Sequence, residues 1–422
     1  MVINFREYPL KFNQKNKGVA MKNQTLFVGI DVSKLKHDVA IMSQNKQLVG
    51  QPFVIKDDLA GYQYLLSKLK AAALKQQTQQ FKIGLEATSD YWKNIYYFLN
   101  RQSDKFKLTV INPVQTHNWA KTELRRAKTD PLDAKDIALF MIEKNPAPSL
   151  TREPILDIIK DIDRQIYAIQ KQQTVSKNRL RLELTKVAPE LEKATANLNA
   201  KRILAVLKAF PTAQDITNAS FDELVNVGYG KKNWALPTSF IEKLKTLTEH
   251  SIAYKTGFGA GYVVQSLVRQ IAQHQQEIIQ LKGQIVQLYQ RINDQESILS
   301  TIPGIRCETA IVLEAYIGDV NRFSNAKKIV AYFGLNPTVH QSGKSKRKSR
   351  LQKKGSPIVR QKLFMAVICI ISKKNGPIYR YYQRLVDSGK PKMVAIGAAM
   401  RKLLVTIYAM LKNQQEFDEN KM

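Results

Sequence analysis

The stretch Leu26-Phe27-Val28-Gly29-Ile30-Asp31 decides how this 422-residue chain folds. Apolar residues around a single glycine read as a strand buried on both faces, and the run stops on a carboxylate. His37 to Met42 reads as its return strand and Leu48 to Ile55 as a third, which gives a meander. An amphipathic helix follows from Leu59 to Leu74, then strand Phe81 to Leu85, helix Tyr91 to Leu99, strand Lys107 to Ile111, and helical sequence to about Glu143.

Three strands followed by alternating helix and strand is the order of the ribonuclease H-like fold, an α/β sheet with helices on both faces. In that topology Asp31 closes the central first strand, Glu86 closes the fourth, and Asp130 and Asp133 lie on the last helix. Residues three apart on a helix share a face, so the last two carboxylates can point at one place. Clustered carboxylates repel unless cations sit among them, and hard oxygen ligands select Mg²⁺ or Mn²⁺. Two such ions, roughly 3.5 to 4 Å apart, stabilise attacking and leaving oxygens at a phosphate. Rival readings stand beside this one. Asp130-Pro131-Leu132-Asp133 is also a helix start, with Asp130 as N-cap, Asp31 can cap the turn into Val32-Ser33-Lys34, and Glu86 can be a solvated strand end. Val28-Gly29-Ile30-Asp31 further resembles the first phosphate loop of actin-like sugar kinases, but no glycine follows the aspartate and no later Gly-rich loop occurs.

The 66 Lys and Arg against 35 Asp and Glu leave a net charge of +31, which points to a polyanionic partner. With 44% hydrophobic residues the chain can bury cores and is no basic tail. Its two cysteines, Cys307 and Cys369, form neither a disulfide framework nor a zinc-ligand spacing, so a reducing cytosol is expected. The longest uninterrupted apolar run, Leu363 to Ile371, is far short of the roughly 20 residues of a membrane span, and the protein is expected to be soluble. Residues 1–23 are polar, basic and aperiodic, and Met21 stands just before the first strand; they read as a flexible extension or an upstream start.

The middle of the chain is helical. Val264, Ile271, Ile278, Ile285, Ile292 and Leu299 fall at a positions, and Leu267, His274, Leu281, Leu288 and Gln295 at d. That heptad predicts a two-stranded parallel coil and hence a dimer. The alternative is an intrachain partner, since Ile155, Ile159, Ile162, Ile166 and Ile169 form a second stripe able to pack antiparallel on the first. Between the two stripes, about 201–261, the sequence reads as a small helical insertion. Ile302-Pro303-Gly304-Ile305 looks like half of a helix-hairpin-helix, a turn that offers backbone N–H groups to phosphate, although Arg306 stands where that motif repeats glycine. Lys344, Lys346, Arg347, Lys348, Arg350, Lys353 and Lys354 put seven cations in eleven residues, read as a loop that tracks phosphates. Just before them stands Ser342, next to Gly343.

These pieces occur in one order: Gly29-Ile30-Asp31-Val32-Ser33-Lys34, Glu86-Ala87-Thr88-Ser89, Lys128-Thr129-Asp130-Pro131-Leu132-Asp133-Ala134, Ile302-Pro303-Gly304-Ile305 and Ser342-Gly343-Lys344. Asn375-Gly376-Pro377-Ile378 and Met400-Arg401-Lys402-Leu403-Leu404 follow. The combination resembles the DEDD transposases of the insertion-sequence one-ten family, relatives of the Piv site-specific invertase. The resemblance implies a ribonuclease H-like (RuvC-like) domain over 24–150 and a coiled-coil region over 151–298. It further implies a small, mainly α-helical transposase domain over 299–413 and a tail at 414–422. It implies that Asp31, Glu86, Asp130 and Asp133 bind Mg²⁺, with Mn²⁺ as a substitute, and that Ser342 is a nucleophile. It also implies donor and target DNA as substrates, a structured non-coding guide RNA, composite sites in a homo-dimer or tetramer, and action at the nucleoid in a bacterial or archaeal cytoplasm. The competing enzyme reading is a RuvC-like Holliday-junction resolvase or other metal-dependent nuclease that needs no serine.

Overall fold

The computed structural model describes residues 24–87, 89–102, 105–122, 130–149, 154–230, 232–338, 341–342, 345–346, 350–352 and 355–419. The N-terminal extension and Lys344, Arg347, Lys348, Lys353 and Lys354 lie outside these. The chain divides into two compact units, Met1–Thr151 and Arg152–Met422.

In the first unit, β1 (Thr25–Val32), β2 (Lys36–Met42), β3 (Phe53–Lys56), β4 (Gln80–Glu86) and β5 (Phe106–Ile111) form one sheet in the order β3-β2-β1-β4-β5. β1 runs antiparallel to β2 and parallel to β4, which runs parallel to β5. A meander extended by two parallel crossover strands is the ribonuclease H-like arrangement expected. β1 is its central strand, and Val28 and Ile30 are fully buried. The third strand is shorter than Leu48 to Ile55: only Phe53–Lys56 pairs, and Leu48 makes one bridge to Met42. Gly50 turns the chain at φ +86°, and Pro52 has no N–H to offer a ladder. On one face, α1 (Leu59–Gln76) and α2 (Trp92–Asn100) bury Leu65, Leu69, Ile95 and Leu99 against Val28, Ile30, Ile83 and Leu85. Asp58 caps α1 by accepting from the Gly61 N–H at 2.7 Å. The helical stretch expected after β5 is two helices, α3 (Pro113–Thr122) and α4 (Asp130–Lys144), and Ile137, Phe140 and Met141 of α4 pack with Phe27 and Trp119 on the other face.

Among its described residues, the regular structure of the second unit is helical apart from four two-residue strands. α5 (Pro154–Val187) is followed by five short helices, α6 (Leu191–Ala194), α7 (Lys201–Ala209), α8 (Ala213–Asn218), α9 (Phe221–Val225) and α10 (Thr238–Glu249), and then by α11 (Tyr262–Gln290). Leu180 and Leu184 share a core with Val264, Leu267 and Ile271, whereas Ile159 and Ile166 pack with Ile278 and Ile285, so α5 and α11 lie antiparallel. The a stripe of the heptad therefore has its partner within the chain. α11 also ends at Gln290, short of the expected Leu299, because Asn293 and Asp294 favour a turn; Leu299 is buried instead in the C-terminal core. That core joins α12 (Cys307–Ile317), α13 (Ala326–Tyr332), α14 (Pro357–Ser372), α15 (Pro377–Asp387) and α16 (Lys392–Asn413). By length and composition α16 could cross a membrane, an exception to the reading of the apolar runs. Here Ala399, Leu403, Leu404 and Ile407 are fully buried in the core of this bundle.

Candidate active site

Two glycines bring α4 onto the sheet. β1 and β4 pair in the register Gly29↔Gly84 and Ile30↔Leu85, so Asp31 and Glu86 come one step later, at the C-terminal ends of adjacent parallel strands. Side chains two apart share a face, so both carboxylates belong to the face of Gly29 and Gly84. A Cβ at Gly29 would lie 2.0 Å from the Ala134 carbonyl oxygen and 2.5 Å from the Ala138 nitrogen. One at Gly84 would lie 2.7 Å from Met141 Cγ. At Gly29 α4 thus rests directly on strand backbone, and no other residue type allows that approach.

The direction of α4 follows from its two ends. Lys82, early in β4, donates to Asn145 Oδ1 at 2.5 Å just beyond the end of α4, and Phe27 packs against Phe140 and Met141. The first turn of α4 therefore lies toward the strand ends that carry Asp31 and Glu86. Position 130 comes one turn before Ala134, in line with β1, and Asp133 one turn before Ile137, in line with β4. Among the described residues the helix runs from Asp130, with Pro131 in its first turn; the side chain of Asp130 is outside the description. Asp31, Glu86 and Asp133 are each partly buried. Oxygen donors alone suit a hard divalent cation, but among the described residues no three acidic, His or Cys side chains already enclose a metal position.

The surroundings hold these groups in place. Thr116 of α3, itself buried, has its hydroxyl 2.9 Å from Glu86 Oε2 and 3.0 Å from the Pro113 carbonyl. Trp119 Nε1 donates to Glu143 Oε2 at 3.0 Å, and Lys46 Nζ lies 2.7 Å from the other oxygen. These two donors, Lys46 first, hold the Glu143 carboxyl below the usual carboxylate range and tie α3 and the turn after β2 to the end of α4. A further carboxylate was not singled out in the sequence. Asp38 of β2 stands directly opposite Asp31 and is 7% exposed. Reading the hairpin in register, with Val32 against His37, was the signal that could have found it.

Ser342 belongs to the second unit. Gln341–Ser342 (β7) pairs with Ser345–Lys346 (β8), with Ser342 opposite Ser345, and Pro337–Thr338 (β6) pairs with Arg350–Leu351 (β9). The expected phosphate-tracking loop is thus partly paired strand, because a polar stretch with Ser-Gly at its centre can fold back on itself. Lys346 and Arg350 sit on these strands. In the turn expected to meet phosphate, Gly304 has φ +91°, and a Cβ there would lie 3.0 Å from Ile370 Cγ1. Ile302 and Ile305 are buried, so this glycine is accounted for by packing on α14.

Strand order, acidic strand ends and a helix seated on glycines define the first unit as an α/β domain of the ribonuclease H-like class. A DEDD model described as Transposase matches residues 28–189, and a model described as Transposase IS116/IS110/IS902 family matches 296–383. The chain belongs to the IS110 family of transposases. Among its relatives is the pilin gene-inverting protein of Moraxella bovis, 25% identical over 397 residues that cover 93% of this chain and 98% of the relative. The insertion element IS110 uncharacterized 43.6 kDa protein of Streptomyces coelicolor is 25% identical over 294 residues, 68% of this chain and 71% of its own length. A solved structure, T. thermophilus RuvC in complex with Holliday junction substrate, matches 30% of this chain and 99% of its own at 11% identity and a TM-score of 0.23. The fold assignment rests on strand order and register, not on that likeness.

Proposed function

We propose that this transposase cuts and rejoins DNA strands with two kinds of group: the carboxylates Asp31, Glu86, Asp130 and Asp133, which would hold Mg²⁺, and Ser342, which attacks phosphorus. The observation that carries the first half is the register that ends adjacent parallel strands in Asp31 and Glu86 beneath the first turn of α4. Bound Mg²⁺ would supply charge stabilisation for the attacking and leaving oxygens. Asp31 and Glu86 would hold that ion at the ends of adjacent strands, and Thr116 fixes the Glu86 carboxylate. Ser342 Oγ forms a bond to phosphorus as the bond to the neighbouring nucleotide's oxygen breaks; the serine loses its proton and the departing oxygen gains one. Because the phosphoserine keeps the bond energy, a second DNA end can reverse the step and restore a phosphodiester without ATP.

A relative named for gene inversion favours strand exchange over plain hydrolysis. The net charge of +31 and the cations from Lys344 to Lys354 suit DNA together with a structured non-coding RNA that selects donor and target. Assembly as a dimer or tetramer belongs to the same proposal. Val175 and Leu182 of α5 and Ile279 of α11 are more than half exposed, which leaves apolar surface on the helix pair for a second copy. The test is Mg²⁺-dependent strand cleavage by the purified full-length protein on DNA from its element's ends. Asp31→Ala and Glu86→Ala are expected to abolish it, and cleavage at the wild-type rate by either variant would remove the carboxylate site from the account.

A further inference from the structure

We infer that Asp38 is a positioning residue of the carboxylate site, holding by its charge, through bound water, the divalent cation that Asp31 would ligate. The inference rests on the metal-site reading proposed above and extends it by a residue outside the four-carboxylate motif.

Three observations carry it. Asp38 faces Asp31 across the β1–β2 ladder, and residues directly opposite in an antiparallel pair project from the same face with Cβ atoms about 5 Å apart. That face is the one on which α4 rests, since Ala40, two residues on, is opposite Gly29. Finally, Asp38 is 93% buried. Buried carboxylates are ordinarily paired, hydrogen-bonded or turned toward a metal, because desolvating an isolated charge is costly. Its neighbour His37 is also buried but points to the opposite face, where its Nε2 lies 3.2 Å from Asp57 Oδ1, so it does not serve Asp38. Mg²⁺ gives up its water shell reluctantly, and a carboxylate one residue-width from a ligand is placed to accept hydrogen bonds from that shell.

The experiment uses the full-length protein with Mn²⁺ alone as probe, titrated by calorimetry, beside thermal melts in EDTA and in Mn²⁺. Asp38→Asn is expected to melt in EDTA at or above the wild-type temperature, to bind Mn²⁺ about tenfold more weakly, and to lose most of the Mn²⁺-induced rise in melting temperature. Asp38→Glu, which restores the charge, is expected to recover part of the affinity. Asp38→Asn that binds Mn²⁺ within twofold of wild type overturns the inference while leaving the metal site standing. Asp31→Asn that binds within twofold overturns the metal site itself. Should Asp38→Asn fail to melt cooperatively, Asp38→Ser is titrated in its place against the same two outcomes.

Discussion

Thr116 offers a single-atom probe of Glu86. Exchanging its hydroxyl for a methyl in Thr116→Val keeps the volume of a buried side chain but removes the donor 2.9 Å from Glu86 Oε2. Supporting groups around metal-binding carboxylates typically contribute 10- to 100-fold. Thr116→Val is expected to lower Mg²⁺-dependent cleavage by roughly tenfold, with a higher Mg²⁺ requirement and an unchanged far-ultraviolet spectrum; an unchanged Mg²⁺ titration would mean that Glu86 needs no such support. Thr116 shows why a site is only partly legible at the residue scale. Asp31 and Glu86 are visible because each ends a strong apolar run, whereas Thr116 and Asp38 matter through contacts across other elements, Asp38 by a register that only the hairpin fixes.

Glycine notches, helix ends and ion pairs set the positions of whole elements. In Gly29→Ala the added carbon would meet backbone, at 2.0 Å from the Ala134 carbonyl oxygen, so α4 must lift and carry its first turn away from the strand ends. A loss of roughly 3 kcal/mol or more in urea unfolding is expected, together with loss of cleavage. Gly84→Ala meets a flexible methionine side chain first and is expected to cost about 1 kcal/mol. Equal costs would contradict the backbone contact. In the second unit Lys362 Nζ of α14 lies 2.7 Å from Asp163 Oδ1 of α5, and burial pushes the Asp163 carboxyl above its ordinary range despite Lys362. Lys362→Met leaves that carboxylate buried alone and is expected to cost roughly 3 to 5 kcal/mol, whereas Asp163→Leu with Lys362→Met is expected to fall within about 1 kcal/mol of wild type. Glu143 has the opposite pH behaviour from Asp163. Its lowered folded value means that its contribution is present above the ordinary glutamate pKa of about 4.3 and is lost as pH falls through the folded value. Glu143→Gln should therefore lower the melting temperature at pH 7 and converge with wild type as pH falls below the folded value; a gap of constant size would exclude the ion pair as its source. Apolar periodicity made most of these elements readable in the sequence. It could not choose between a partner helix in the same chain and one in another, because the a positions of α11 need apolar contact and do not specify whose, and α5 meets them.

At the scale of the molecule, two compact units carry the two halves of the proposed chemistry, the carboxylates in Met1–Thr151 and Ser342 in Arg152–Met422. The fold of the first half was legible because a ribonuclease H-like sheet needs an apolar central strand, and Leu26-Phe27-Val28-Gly29-Ile30 supplies it. Ser342 enters the proposal only through the order of motifs along the chain, since a serine beside a glycine is ordinary turn sequence. The same chain also carries the basic stretch between Lys344 and Lys354, so the account expects DNA and RNA binding to weaken steeply with salt. Its central claim is that strand exchange passes through a serine–DNA bond. The most direct measurement is a denaturing gel of the full-length protein incubated with Mg²⁺, labelled element-end DNA and RNA transcribed from the element's non-coding flank. The account predicts a DNA-bound protein band for wild type that Ser342→Ala lacks; a band of equal intensity from Ser342→Ala, or cleavage by wild type with no such band, would contradict it.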